Sequence, residues 1–277
     1  MKAKALIVAV CWGLITMSAF AGEQVTPLTV DDIVQKANHV ALYQGADAKG
    51  RVSMVITDKQ GRTRNRVFNM LRKDNSEADQ DQRFLAFFQA PADVRKMVFM
   101  VHKHAALEKD DDRWLYMPSL DLVKRIAASD KRTSFVGSDF LYEDISGRSP
   151  AEDRHELIRT TDTHYVLKNV PRNPQSVEFA YYMAYIDKKT FMPMKMEFFK
   201  NGDRLYRVIE SMKLEDIQVQ EKGKEVIYRT VTLSVARDLE KGSKTEMTRS
   251  HIQHNVGLSD KIFTERYLRR PPRDAMR

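Results

Sequence analysis

The chain has 277 residues, with 46 basic and 38 acidic side chains and a formal net charge of +8. Basic and acidic residues are interspersed, which is typical of a soluble protein with solvated faces. The single cysteine, Cys11, lies in the apolar first segment. The rest of the chain therefore has neither a disulfide nor a thiol nucleophile, and it must be stabilised by a hydrophobic core.

The first residues predict export. Lys2 and Lys4 precede an apolar stretch at residues 5–17, and a small-x-small cleavage signal stands at residues 19–21. The apolar stretch is too short to span a bilayer comfortably. We therefore predict a cleaved signal peptide over residues 1–21 and, because no repeat or linker divides the remainder, a single domain over 22–277.

The remaining chain predicts a mainly β fold. Apolar residues at helical spacing predict a helix from Thr29 or Asp31 to about Gln44, and a second helix is expected over residues 260–268. Between them, polar and apolar residues alternate along a series of short segments punctuated by turns, with Asn201-Gly202 as the strongest hairpin signal. We expect a strongly curved antiparallel sheet of about ten strands, with short helices covering it.

The segment at residues 111–147 differs from its surroundings. Two short strands, 113–117 and 122–126, are predicted to turn at residues 118–121. Beyond them lies a dense apolar group, with Ser138 and Asp139 as candidate N-caps of a short helix over 139–146. Our hypothesis is that this helix closes over the mouth of the sheet as a lid. The alternative is an ordinary loop packed on its own core.

One face of the predicted sheet is rich in methionine. Met192, Met194, Met196 and Phe198 alternate with Lys195 and Glu197 and so share a face. Methionine side chains are flexible, and a concave face lined by them would suit acyl chains, although methionine also fills irregular cores. The predicted wall of such a cavity consists of Met54, Phe68, Met70, Met192, Met194, Met196 and Phe198.

The sequence carries few residues arranged for catalysis. Gly137-Ser138 lacks the second glycine of a nucleophile elbow. His102 and His104 share a strand face and precede three aspartates, which allows a metal-dependent hydrolase, but exposed polar residues on a strand end and loop are the favoured explanation. Adjacent Glu143 and Asp144 cannot converge on one substrate bond. We expect them to latch the short helix through Arg125 or Arg132, and we expect no enzyme activity, metal or cofactor.

Two motifs carry a family resemblance. W-L-Y-x-P at residues 114–118 and F-x-G-S-D-F-x-Y-E-D-I at 135–145, on a long antiparallel meander, resemble the outer-membrane lipoprotein-sorting family, which is related to the carriers LolA and LolB. The resemblance implies an incomplete β-barrel whose helices cover an acyl-binding cavity, and a Gram-negative periplasm. The carrier holds its lid with an arginine inside the barrel; here Arg51, Arg64, Arg66 and Arg113 are candidates.

The leading hypothesis is therefore a periplasmic carrier of lipid or lipoprotein acyl chains towards the outer membrane. An inner-membrane RND-type transporter is a candidate partner, nucleic acid is not expected, and a monomer is expected. An alternative is a lipid-sensing adaptor that contacts a membrane partner through the arginine-rich residues 266–277. The predicted rim and lid residues are Trp114, Tyr116, Phe135, Phe140, Tyr142 and Ile145.

Overall fold

A thirteen-stranded antiparallel sheet is the frame of the computed structural model, which describes residues 27–75, 79–221 and 223–271. The predicted signal peptide lies outside the described residues. The strands in chain order are β1 Asp47–Thr57, β2 Thr63–Asp74, β3 Gln82–Ala90, β4 Val98–Lys103, β5 Asp112–Met117, β6 Leu122–Ile126, β7 Asp153–Thr160, β8 His164–Pro171, β9 Tyr181–Asp187, β10 Pro193–Lys200, β11 Arg204–Glu221, β12 Lys224–Asp238 and β13 Ser243–His254. The predicted mainly β fold is confirmed, with more strands than the ten expected.

The order of the strands in the sheet explains the role of the segment between β6 and β7. The order is β6-β5-β4-β3-β2-β1-β13-β12-β11-β10-β9-β8-β7, so the first and last strands pair at the centre and β6 and β7 form the two edges. Residues 127–152, which we call the crossover segment, must therefore run from one edge of the sheet to the other. It contains helix α2 (Tyr142–Ser146).

Alternation along the strands gives the sheet two apolar faces. On β3, Phe84, Ala86 and Phe88 belong to the core beneath the crossover segment, while Leu85 and Phe87 belong to a second cluster on the opposite face. The first face is called the inner face here, and the second the outer face. A C-terminal segment covers the outer face with Leu258, Ile262, Phe263 and Leu268.

Helix α1 (Val30–Leu42) covers another part of the inner face. Thr29 caps it, because its hydroxyl accepts a hydrogen bond from the Asp32 amide while the Asp32 carboxylate accepts one from the Thr29 amide. The buried side of the helix packs with Leu167, Ala184 and Ile186 of β8 and β9. The residues of α1 on that side are Ile33, Val34 and Ala37. No helix among the described residues is both long and apolar enough to cross a membrane.

Two helix predictions need correction. The short helix is only Tyr142–Ser146, and neither Ser138 nor Asp139 caps it; instead the Asp144 carboxylate accepts a hydrogen bond from the Leu141 amide at 2.6 Å. The predicted helix over 260–268 is a 3-10 turn at Asp260–Phe263 followed by helix α3, Arg266–Arg269.

Candidate functional site

The crossover segment fills one half of the inner face with aromatic rings. Phe135 is fully buried, and its ring centroid lies 5.9 Å from that of Phe68 and 5.3 Å from that of Phe99. Tyr142 completes the group, with its centroid 5.5 Å from that of Phe135. Contacts at these distances are favourable edge-to-face packing. We call Phe135, Phe140 and Tyr142 the aromatic plug.

Asp139 ties the plug to the central strand β13. Its carboxylate accepts hydrogen bonds from the hydroxyls of Ser243 at 2.5 Å and Thr245 at 2.7 Å, and its amide donates to the Thr245 hydroxyl at 2.9 Å. Asp139 and Thr245 are buried. Hydrogen bonds to a buried carboxylate are strong, because both partners would otherwise lose hydration without replacement.

A single buried arginine makes the second attachment of the plug. Arg207 on β11 is 3% exposed; it forms an ion pair with Asp144 and donates to the Asp139 carbonyl at 3.1 Å. Arg207 was not among the predicted candidates for this role. Of those, Arg64 only reaches the Gly137 carbonyl at 3.4 Å. The other candidates bind elsewhere: Arg51 to Gln89, Arg66 to Asp93 and Arg113 to Asp111.

Glu143 is the third attachment and lies among three cations. It is 2% exposed and accepts from Arg132 at 2.7 Å, with Lys131 at 3.2 Å and Arg148 at 3.3 Å. Burial opposes ionisation, but the three cations outweigh it and lower the pKa of Glu143 to about 2. The predicted bond to Arg132 is therefore confirmed, whereas Arg125 pairs with Asp112 instead.

The other half of the inner face is hollow. A cavity of about 440 Å³ lies between α1, the crossover segment and the sheet. Small side chains of α1 form one wall, and methionines of the strands form much of the other. The apolar lining includes Val34, Ala37, Ala41, Met70, Leu167, Ala184, Met192, Met196, Phe198, Ile209 and Met247. This volume lies within the usual range of ligand pockets, roughly 300–1,000 Å³.

The predicted wall residues divide into two groups. Met70, Met192, Met196 and Phe198 line the cavity. Met54 and Phe68 instead lie in the core with the aromatic plug, and Met194 is not among the lining residues. The placement of these three in the wall was wrong. For Met194 the reason is a bulge between Pro193 and Lys195, which interrupts the alternation that the prediction assumed.

The predicted rim and lid residues lie on both faces of the sheet. Phe135, Phe140, Tyr142 and Ile145 pack on the inner face, and Phe140 and Ile145 border the cavity. Trp114 and Tyr116 pack in the outer-face cluster, away from the plug. Their placement at the rim was wrong, because on β5 it is the alternate residues, such as Leu115, that point to the inner core.

Charged groups lie at the borders of this cavity, and nearly all of them have partners. Arg72 bonds Asp74 at 2.9 Å, and Arg148 bonds Asp153 at 2.9 Å. Arg249 on β13 differs: its Nη1 donates to the Val231 carbonyl at 3.4 Å, and burial lowers its pKa. The cavity is thus mostly apolar, and Arg249 is an arginine on its border that lacks a carboxylate partner among the described residues.

The two histidines, one on β4 and one directly after it, have different partners. The Nε2 atom of His102 lies 2.8 Å from the Phe263 carbonyl, while His104 lies 3.2 Å from both Asp81 and Asp112. Within the described ranges no group of three or more histidine, cysteine or acidic side chains is arranged to hold a metal ion.

The predicted adaptor segment is only partly described. Arg269 bonds the Asp121 carboxylate at 3.1 Å and lies over the Tyr116 ring, and Arg273 and Arg277 lie outside the described residues.

Several residues of the site escaped the sequence analysis. Arg207 is a single cation among apolar neighbours on its strand, and this contrast is the signal that could have found it. Thr245, Met247 and Arg249 follow the alternation of an inward-facing strand. The contribution of α1 to the cavity carried no comparable signal, because it depends on which strands the helix covers.

Comparison with solved structures defines the class of fold. A putative outer membrane lipoprotein-sorting protein domain from Vibrio parahaemolyticus aligns with a TM-score of 0.75 at 24% identity, covering 86% of this chain and 97% of that one. A LolA superfamily protein from Nitrosomonas europaea aligns with a TM-score of 0.63 at 20% identity, covering 87% and 99%. The protein therefore has the LolA-like fold of an incomplete β-barrel, and the predicted resemblance is confirmed.

The family follows from the sequence itself. A family model described only as an uncharacterized protein matches residues 80–270, and the chain belongs to this family. A DUF1329 family protein from Desulfovibrio piger is 27% identical, with a TM-score of 0.74 over 86% of this chain and 96% of that one. A search of curated proteins found no significant match.

Proposed function

We propose that the protein is a periplasmic carrier that holds acyl chains of a lipid or lipoprotein in the cavity between α1 and the sheet. The carrier domain would span residues 22–277 after removal of residues 1–21. The observation that carries the proposal is the apolar cavity of about 440 Å³ under α1. The shared fold with a lipoprotein-sorting domain supports the same class of ligand.

The chemistry of the cavity suits hydrocarbon. An acyl chain that displaces water from such a wall gains roughly 0.8 kcal/mol for each buried methylene. Met70, Met192, Met196 and Met247 can adjust to chains of different shape, because thioether side chains are flexible and polarisable. The cavity therefore suits a range of acyl chains better than a single rigid ligand.

The contacts that hold the plug and helix α1 suggest which of the two moves when cargo enters. The plug is held by Asp139, Glu143 and Asp144, all bonded to buried partners. In contrast, α1 contributes only three buried apolar residues, Ile33, Val34 and Ala37. Opening α1 breaks fewer buried contacts than lifting the plug, so we propose that cargo enters beside α1.

The first experiment identifies the cargo. The mature protein is purified from its native periplasm, extracted with organic solvent, and the extract is analysed by mass spectrometry against an extract of an unrelated periplasmic protein. We expect an enriched lipid at near-stoichiometric amount. If no lipid is enriched and the protein also fails to take up the uncharged probe N-phenyl-1-naphthylamine, the carrier proposal is refuted.

The second experiment tests the position of the cavity. Ala41 lies on the exposed side of α1 that borders the cavity, so Ala41→Phe can place a ring there without overpacking the core. A ring that displaces two methylenes of cargo lowers affinity by roughly tenfold. Ala128→Phe is the matched control, because Ala128 is exposed and does not border the cavity. Equal probe affinities in the two variants would contradict the proposed location.

Delivery requires a partner, and we propose an inner-membrane RND-type transporter in that role. Photo-crosslinking in intact cells from Lys36 or His39, exposed on α1, tests it. A crosslinked membrane protein of the transporter class is the expected product. Capture of lipoproteins alone would instead indicate a route to the outer membrane without such a transporter.

A further inference from the structure

Arg249 lies on the inner face of the central strand β13. Thr245 and Met247, four and two residues before it, face inward in the same alternation, and Met247 and Arg249 both line the cavity. In the neighbouring strand β1 the residue opposite Arg249 is Val52, which also lines the cavity. A guanidinium group is thus set into an otherwise apolar part of the wall.

The charge of Arg249 has no counter-charge in the described part of the chain. Its single hydrogen bond is the 3.4 Å contact to the Val231 carbonyl, and burial is what lowers its pKa. Arg132, Arg148 and Arg207, which also approach the cavity or the plug, each form an ion pair with a carboxylate that is at most 11% exposed. A partly buried cation without a counter-charge is costly in free energy. An arginine is therefore expected here only if a bound molecule supplies an anion.

The sheet opens beside Arg249. Strands β12 and β13 pair only from Leu233 opposite Thr248 to Asp238 opposite Ser243, although both strands continue beyond that point. Past Thr248, β13 pairs only with β1, and β12 pairs only with β11. Arg249 is the first residue past the end of this ladder, so a group bound to it lies at an opening between two strands.

We infer that Arg249 binds the anionic head group of the cargo, which is an acyl amphiphile ending in a carboxylate or a phosphate. The inference rests on the proposed function and names the class of lipid. The hydrocarbon chain lies along the methionine wall, and the head group accepts hydrogen bonds from the guanidinium at the opening. The planar fork of arginine suits both carboxylate and phosphate, because each can accept two parallel N–H bonds.

The test compares cargo molecules that share one chain. Delipidated protein is loaded with uncharged N-phenyl-1-naphthylamine, which is then displaced by dodecanoate, dodecyl phosphate, uncharged monododecanoylglycerol or cationic dodecyltrimethylammonium. The wild-type protein is expected to bind at least one of the two anions roughly tenfold more tightly than the uncharged amphiphile, the gain of a charge-assisted hydrogen-bonded pair. Comparison of the two anions distinguishes a fatty acid from a phosphate head group.

Two variants of equal charge change then locate the effect. Arg249→Gln is expected to lose the preference for anions while keeping its affinity for the probe and for monododecanoylglycerol. Arg204→Gln is the control, since the Arg204 side chain is 63% exposed and does not line the cavity; it is expected to keep the preference. Retained probe binding shows that a variant is folded.

The outcomes separate this inference from the proposed function. If no amphiphile and no probe binds the wild-type protein, the carrier proposal itself fails. If all bind but anions have no advantage, or if Arg249→Gln keeps the advantage, only the assignment of Arg249 is overturned. If Arg249→Gln fails to fold, the wild-type preference for anions and the charge-retaining variant Arg249→Lys test the assignment instead. Arg249→Lys should keep the preference for anions, and its loss would overturn the assignment of Arg249.

Discussion

Replacing Glu143 with glutamine tests how the crossover segment is held. The pKa of Glu143 in the folded protein is about 2, against an ordinary value of 4.5. A difference of this size corresponds to about 3 kcal/mol of stability at 1.36 kcal/mol per pKa unit. Removal of one partner from a buried ion pair usually costs about 3–5 kcal/mol, so the two figures agree. We expect Glu143→Gln to lower the free energy of unfolding by about 3 kcal/mol at pH 7.

The sign of the pH dependence follows from the lowered pKa. Glu143 stabilises the fold fully above pH 4.5, where it is ionised in both states, and this contribution is lost as the pH falls towards 2. The difference between wild type and Glu143→Gln should therefore shrink to roughly half its neutral value at pH 3. Urea unfolding can be followed by the fluorescence of Trp114, since residues 22–277 contain no other tryptophan.

The control is Glu246→Gln. Glu246 pairs with Lys244 on the surface, where its side chain is 44% exposed, and its replacement should change stability by less than about 0.5 kcal/mol. The reasoning is refuted if Glu143→Gln is as mild as this control. It is also refuted if the cost of Glu143→Gln is the same at pH 7 and pH 3, because the cost would then come from packing and not from charge.

Three further predictions concern the covers of the two faces. Arg207→Met and Asp144→Asn should each lower the free energy of unfolding, and their double-mutant cycle should give a coupling energy above about 0.5 kcal/mol by urea unfolding. If the two losses of stability simply add, the Arg207–Asp144 ion pair does not hold the plug. Phe135→Ala should cost about 3–5 kcal/mol by the same assay, and a cost under 1 kcal/mol would contradict its place in the plug. Leu268→Ala should cost about 2–5 kcal/mol without changing probe affinity, because Leu268 covers the outer face; a loss of probe affinity would contradict that position.

The sequence predicted the start of α1 and the pairing of neighbouring strands correctly. The capping signal at Thr29 marks the true start of α1, and the turn after Met117 separates two strands that do pair. These successes share a cause. Caps, turns and polar-apolar alternation are set by neighbouring residues, so they can be read without knowledge of the tertiary fold.

The composition of the site could be predicted only in part. Met70, Met192, Met196 and Phe198 line the cavity, whereas Met54 lies under the plug, although its strand pattern is the same. The two halves of the inner face differ only in what covers them, and that depends on the path of the crossover segment. No local pattern in Met54 or its neighbours records which half it occupies.

Arg207, the arginine that attaches the plug, shows again that contacts between distant parts of the chain cannot be predicted from local sequence. Arg64, Arg66 and Arg113 were plausible candidates from their strand positions, yet Arg207 makes the contacts to Asp139 and Asp144. Arg207 is separated from Asp139 and Asp144 by more than sixty residues in the chain. They meet because the crossover segment passes over β11. Only the order of strands in the sheet decides this.

That order also bears on how the protein folds. Every ladder joins strands that follow one another in the chain except the one between β1 and β13, which closes a loop containing the eleven other strands. Such a closure is entropically costly and slows folding. A circular permutant that opens the chain at Ala128, beyond β6, and links the residues before α1 to those after α3 would make every ladder sequential. Its lower contact order should make it fold faster than the natural chain, at the expense of a divided crossover segment.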